Sequence, residues 1–187
     1  MMRLSRGLVI LAAMLFAIIS AGECHADQTD PRLDQLFAEL RIADDAVTAR
    51  VLEAQIWALW SQTTDDARQL LVDGTEHLSA GDLEGALAIF DRLVTQSPRF
   101  AEAWNKRATT LYLLDRFSAS IADIEHVLTL EPRHFGAISG LAMCNEKLGR
   151  TQQALDALRR AQTIDPRLHD IDRSIDALKK QLERESI

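Results

Sequence analysis

Between Ser118 and Leu130, apolar side chains recur at Ile121, Ile124, Val127 and Leu128, with polar residues between them. Spacings of three and four put one apolar stripe on a helix. The run from Ala101 to Thr110 behaves alike through Trp104, Ala108 and, just beyond it, Leu111, and the polar pair Asp115-Arg116 separates the two runs. The pattern predicts two antiparallel helices joined by a short turn. It also recurs. Pro98, Pro132 and Pro166 stand 34 residues apart, as do Ala86, Ser120 and Ala154; Phe90, Ile124 and Leu158; and Leu93, Val127 and Ala161. Interleaved positions sharing one such period identify a stack of structural repeats.

Gly81-Asp82 and Gly149-Arg150 hold the place of Asp115-Arg116 in the flanking copies. Glycine supplies the left-handed conformation that ends a helix. Each proline disfavours helix in the residue before it, so the second helices are predicted to end near Gln96, Glu131 and Asp165. Positions 86, 120 and 154 are small because two crossing helices approach closely there. Gly74, Ala108 and Ala142, on the first helices, are the expected opposite side of that contact.

These residues resemble the tetratricopeptide repeat family. The strings are Leu70, Gly74, Ala86, Phe90, Pro98; Trp104, Ala108, Leu111, Ser120, Ile124, Pro132; and Ala142, Ala154, Leu158, Ala161, Pro166. The likeness spans about residues 67–168, and departs where His77 and Asn145 replace the usual Tyr. It implies an all-α fold, a right-handed solenoid of antiparallel helix pairs with repeats at 67–100, 101–134 and 135–168.

One period upstream, Leu36, Leu40, Leu52, Ile56 and Leu59 make a fainter copy. Asp30-Pro31 is a helix start, and Asp44-Asp45 breaks the run before a second helix from about Ala46 to Trp60. Residues 27–66 thus read as a degenerate hairpin capping the stack. After Pro166, a stripe of Leu168, Ile171, Ile175, Leu178 and Leu182 with a charged opposite face predicts a terminal capping helix in 169–187; its other reading is a coiled-coil seam.

Residues 1–26 read as an export signal. Arg3 and Arg6 precede an uncharged stretch from Gly7 to Ala21, and Ala26 offers a cleavage site. Its 15 residues rise only ~23 Å as a helix, short of the ~30 Å hydrocarbon core. Cleavage and a periplasmic mature chain, not inserted in the membrane, are therefore expected, with a retained anchor or lipidation at Cys24 as alternatives. Losing this segment moves the formal net charge from −7 to −8 and leaves Cys144 as the single cysteine. No disulfide can then form within the chain, and a chain this acidic without a basic run is a poor nucleic-acid ligand.

Catalytic signals are absent. The histidines form no HxH or HExxH arrangement, and no G-x-S-x-G, P-loop or G-x-G-x-x-G occurs, so neither a metal nor a cofactor is expected. Asp44-Asp45 and Asp65-Asp66 read as helix-start acids, Cys144 as a buried spacer, and His77 as a core or groove residue. The family resemblance implies instead a non-enzymatic protein–protein interaction module, whose first helices line a concave groove for a partner's peptide segment or helix. Carried over position by position, that face holds Leu71, Thr75 and Leu78; Asn105, Thr109 and Tyr112; and Ser139, Met143 and Glu146. Asn105 can both donate to and accept from a peptide backbone. At the family's carboxylate-clamp positions only Lys106 is basic, beside Leu71, Thr75, Gly136 and Gly140, so that mode is not expected. Arg99, Arg133 and Arg167 share one repeat position, with Glu102, Glu131 and Asp165 near enough to neutralise them. Other readings are an accessory subunit regulating a cell-wall or secretion enzyme, and a structural protein self-associating through the Leu168–Leu182 stripe or an exposed Trp57/Trp60 end. A monomer is the expected state.

Overall fold

The computed structural model describes residues 28–185, so the export-signal reading of 1–26 lies outside them. The described residues form helices α1 (Arg32–Arg41), α2 (Ala46–Trp60), α3 (Asp65–Ser79), α4 (Leu83–Gln96), α5 (Ala101–Leu113), α6 (Phe117–Leu130), α7 (Phe135–Lys147), α8 (Thr151–Ile164) and α9 (Ile171–Glu185), with no strand among them. Helices α3 and α4, α5 and α6, and α7 and α8 pack as pairs, each pair lies against the next, and α9 lies on α8. The fold is an all-helical repeat stack.

The turns inside the pairs share one geometry. Gly81, Asp115 and Gly149 have φ of 80°, 57° and 70°. The following N–H donates back across the helix end, Asp82 to His77 O at 3.0 Å, Arg116 to Leu111 O at 2.9 Å and Arg150 to Asn145 O at 2.8 Å. This satisfies carbonyls that the last turn leaves open. The residue before each proline is not helical; Ser97, Glu131 and Asp165 have φ near −130° to −137°.

Close packing explains the small positions. A Cβ added to Gly74 would lie 2.5 Å from Cε1 of Phe90, and Ser120 Oγ donates to the Ala108 carbonyl at 2.8 Å. Arg107 of α5 ties neighbouring helices, donating to both oxygens of the buried Asp123 on α6 at 2.7 and 2.6 Å and to Asp91 of α4 at 3.0 Å. Cys144 is fully buried beside Ser120, and burial pushes its thiol up.

The start of the chain departs from expectation. Helices α1 and α2 do form a hairpin, but it does not extend the stack as a further repeat beside α3. It lies along the edge where the second helix of one repeat passes to the first helix of the next. Gln28 donates to the carbonyl of Arg99; Trp57, Trp60 and Phe37 pack on His134 and Phe135; and Arg167 reaches the carbonyls of Ala43 and Asp44 at 3.4 and 3.1 Å. Arg133 grips Glu131 and Asp34 of α1 and covers the ring of Phe37. The repeat-periodic row at 99, 133 and 167 is thus the track that holds this brace. Neutralisation by neighbouring acids describes only part of its role.

The two surfaces named for the alternative self-associating reading are largely used internally. Trp60 is fully buried and Trp57 half-buried, while Ile171, Ile175 and Leu178 pack into the core shared with α8. His77 is neither core nor groove: it is exposed, and Nδ1 lies 2.7 Å from Asp82 Oδ2. Asp82 also accepts the Gly85 N–H to start α4, and these contacts, the His77 bond first, hold its carboxyl below the usual range. At the helix starts, Asp45 caps α2 through Val47 and Thr48, whereas Thr64 rather than Asp65 or Asp66 caps α3.

Candidate functional site

The first helices of the three pairs, α3, α5 and α7, stand side by side and present two hollows, one on each side of α5. The first, of about 610 Å³, is lined by Leu71, Val72, Thr75, Glu76 and Ser79 of α3, Glu102 and Lys106 of α5, and Trp57 and Ser61 from the end of the brace. The second, of about 140 Å³, is lined by Asn105, Ala108, Thr109 and Tyr112 of α5, Gly136, Ser139, Gly140 and Met143 of α7, and Ser120 and Ile124 of α6 beneath.

The 34-residue period explains the difference between them. Gly136 and Gly140 occupy the repeat positions of Glu102 and Lys106. Where α5 carries an ion pair, α7 carries two hydrogens, so the second hollow lacks the charged wall of the first. Space at Gly136 is already taken on one side, since an added Cβ would lie 2.8 Å from Cη2 of Trp57.

A buried polar cluster underlies the first hollow. Glu102 is only 2% exposed. Its Oε1 faces Lys106 Nζ at 3.4 Å, and its Oε2 accepts from Asn105 Nδ2 at 3.0 Å and faces His134 Nε2 at 3.4 Å. His134 caps α7 by accepting the Ala137 N–H at Nδ1, 3.1 Å away, which assigns the ring proton to Nε2, the nitrogen turned to Glu102. Of these contacts only the Asn105 amide makes a hydrogen bond to the buried carboxylate, with Lys106 Nζ close by as countercharge; His134 Nε2 is shut from solvent and makes no hydrogen bond.

The eight residues singled out for partner binding divide between the hollows. Leu71, Thr75 and Lys106 line the first; Asn105, Thr109, Tyr112, Ser139 and Met143 line the second. Met143 and Thr109 are exposed, and Tyr112 is half-buried against Phe117. Several are less available than their type suggests. Asn105 is buried with its amide committed to Glu102, and the hydroxyls of Thr75, Thr109 and Ser139 donate to the carbonyls of Leu71, Asn105 and Phe135 in their own helices. Leu71 also belongs to the core, and Leu78 packs against that core rather than lining either hollow. Glu146 is exposed and lines neither.

Val72, Glu76 and Ser79 escaped the sequence reading although they lie next to, or one turn from, residues it named. Trp57 carries no repeat signal, since its position holds Asp91, Glu125 and Arg159 in the later copies, whereas Ser61 shares its position with Thr95, Thr129 and Thr163, none of them on the first helices that the sequence reading followed. Among the described residues no group of three or more His, Cys, Asp and Glu side chains is placed to hold a metal ion.

A tetratricopeptide repeat family model matches residues 71–129 and 114–169. A TPR repeat-containing protein of Rhizobium etli is 35% identical over 136 residues, which cover 72% of this chain and 67% of that one. Sperm-associated antigen 1 of the mouse is 31% identical over 93 residues, half of this chain but only 10% of that protein. Among solved structures, the TPR2B domain of yeast Sti1 in complex with pHsp70 superposes with a TM-score of 0.60 at 22% identity, covering 63% of this chain and 99% of that one. The Yersinia enterocolitica secretion chaperone SycD, in complex with a peptide of the translocator YopD, gives 0.60 at 14% identity, covering 64% and 96%. At those identities the likeness is one of fold.

Proposed function

The chain belongs to the tetratricopeptide repeat family, and from that premise we propose a non-enzymatic binding module of the bacterial cell envelope, taking a peptide segment or helix of a partner protein on the α3–α5–α7 face. The carrying observation is the pair of hollows flanking α5. A segment crossing that helix can seat an uncharged side chain in the second hollow and a larger one against Trp57, Leu71 and Val72 in the first. The two structural relatives above, each in complex with a partner, support the same use of the fold. The hydroxyls of Thr75, Ser79, Thr109 and Ser139 are spent on carbonyls of their own helices and the Asn105 amide on Glu102, so none of these is poised as a nucleophile with its base.

Export rests on the leader read in residues 1–26. No helix among the described residues is long and apolar enough to cross a membrane. Recovery from the periplasm of a chain beginning at Asp27 supports this setting; a chain retaining Met1 in the cytoplasm contradicts it.

The groove reading is tested with a partner captured from envelope extract by the native protein. Gly140→Leu fills the second hollow and Thr109→Arg blocks its rim, so each should weaken that partner's affinity at least tenfold. Thr129→Arg, exposed on α6, should leave it unchanged. Equal affinity in all three variants rejects the groove.

A further inference from the structure

Asp165 joins α8 to the third junction proline and is completely buried. One carboxylate oxygen accepts the Arg167 N–H at 3.0 Å. The other, Oδ2, is shut from solvent and receives no hydrogen bond from an N–H or O–H donor. The side chain turned towards Asp165 is another carboxyl, that of Glu53 on α2, half-buried beneath the brace. Two carboxylates repel; with one proton between them, the O–H of one satisfies the bare oxygen of the other.

We propose that Glu53 and Asp165 share a proton and so act as a latch, fastening the brace to the third repeat and releasing it when that proton leaves.

The neighbouring charges do not replace this contact. Arg50, one turn before Glu53, favours its ionised form but directs Nε to the Ala46 carbonyl of its own helix at 3.1 Å. From the junction, Arg167 uses its guanidinium on the Ala43 and Asp44 carbonyls. At the start of α2, Asp45 is held by Val47 and Thr48. At the second junction Arg133 binds Glu131 and Asp34 of α1, and His134 faces Glu102.

Burial raises both carboxyls, and Glu53, pressed further by the charge of Asp165, is brought to about 7. The docked form therefore holds its proton more tightly than the released form. Docking is strongest at low pH, weakens as pH rises from the ordinary glutamate range towards 7, and levels off above it; one proton changes the equilibrium by up to about tenfold per pH unit. The Trp60–His134 stack holds the other end of α2, so the α1–α2 turn and the first half of α2 are the parts released.

Hydrogen exchange of the full chain, followed by mass spectrometry between pH 5.5 and 8.5 and corrected for intrinsic rates, reads this directly. Protection of residues 43–56 should fall by up to about tenfold per pH unit towards pH 7 and then flatten, while α6 stays constant. In Glu53→Gln the amide can donate to Asp165 without a titrating proton, so protection should persist and lose its pH dependence. Asp165→Asn removes the dependence from the other side. A flat native profile, or a slope that survives in both variants, overturns the latch.

Discussion

The ring of Trp60 lies flat on that of His134, with centroids 4.1 Å apart and planes 8° from parallel. Both residues are fully buried, and they come from opposite sides of the contact between the brace and the second junction. Removing the indole should open a cavity: Trp60→Ala is expected to lower stability by about 3–5 kcal/mol. Trp60→Phe should cost under about 1.5 kcal/mol, because it keeps a ring in the core and removes an indole N–H that has no hydrogen-bond partner. Chemical denaturation of both variants checks the order; equal losses would contradict the stacking account.

Arg107 should behave as one half of a buried ion pair. Asp123 is 5% exposed and takes two hydrogen bonds from this guanidinium. Arg107→Met strands that carboxylate and should cost about 3–5 kcal/mol, whereas Arg107→Met with Asp123→Leu should recover most of the loss. A double-mutant cycle in urea measures the coupling, and strict additivity would refute it.

The three turns make a sharper prediction of sign. Asp115 holds a left-handed φ that Gly81 and Gly149 adopt without a side-chain cost. Asp115→Gly relieves strain but loosens the unfolded chain, so its net effect should stay within about 1 kcal/mol, while Gly149→Val should destabilise by more than about 1 kcal/mol. Nothing lies within 4 Å of a Cβ added at Gly149, so that loss would be conformational rather than steric. Thermal melts distinguish the two changes.

What the sequence made legible follows its period. The helix pairs, their turns and the small crossing positions recur every 34 residues, and local sterics suffice to place them. The family resemblance, carried over position by position, named Asn105, Thr109, Ser139 and Met143, and these do line one hollow. It could not report that Asn105 spends its amide on Glu102, since that depends on how deeply the carboxylate is buried. Nor could it place the brace: Arg133 meets Asp34 across 99 residues and Arg167 meets Asp44 across 123, contacts with no counterpart in other repeats. The apolar faces of α1 and α2 announced a hairpin, and their partner was a matter of tertiary fit.

The most direct test of the central claim is site-specific photocrosslinking in intact cells, with the reactive side chain placed at Thr109 or Met143 on the α3–α5–α7 face, or at Thr129 on α6. The account predicts a discrete adduct with one partner from Thr109 and Met143, and none from Thr129. An adduct formed only at Thr129, or with equal yield at all three, would contradict recognition by the face that α3, α5 and α7 share.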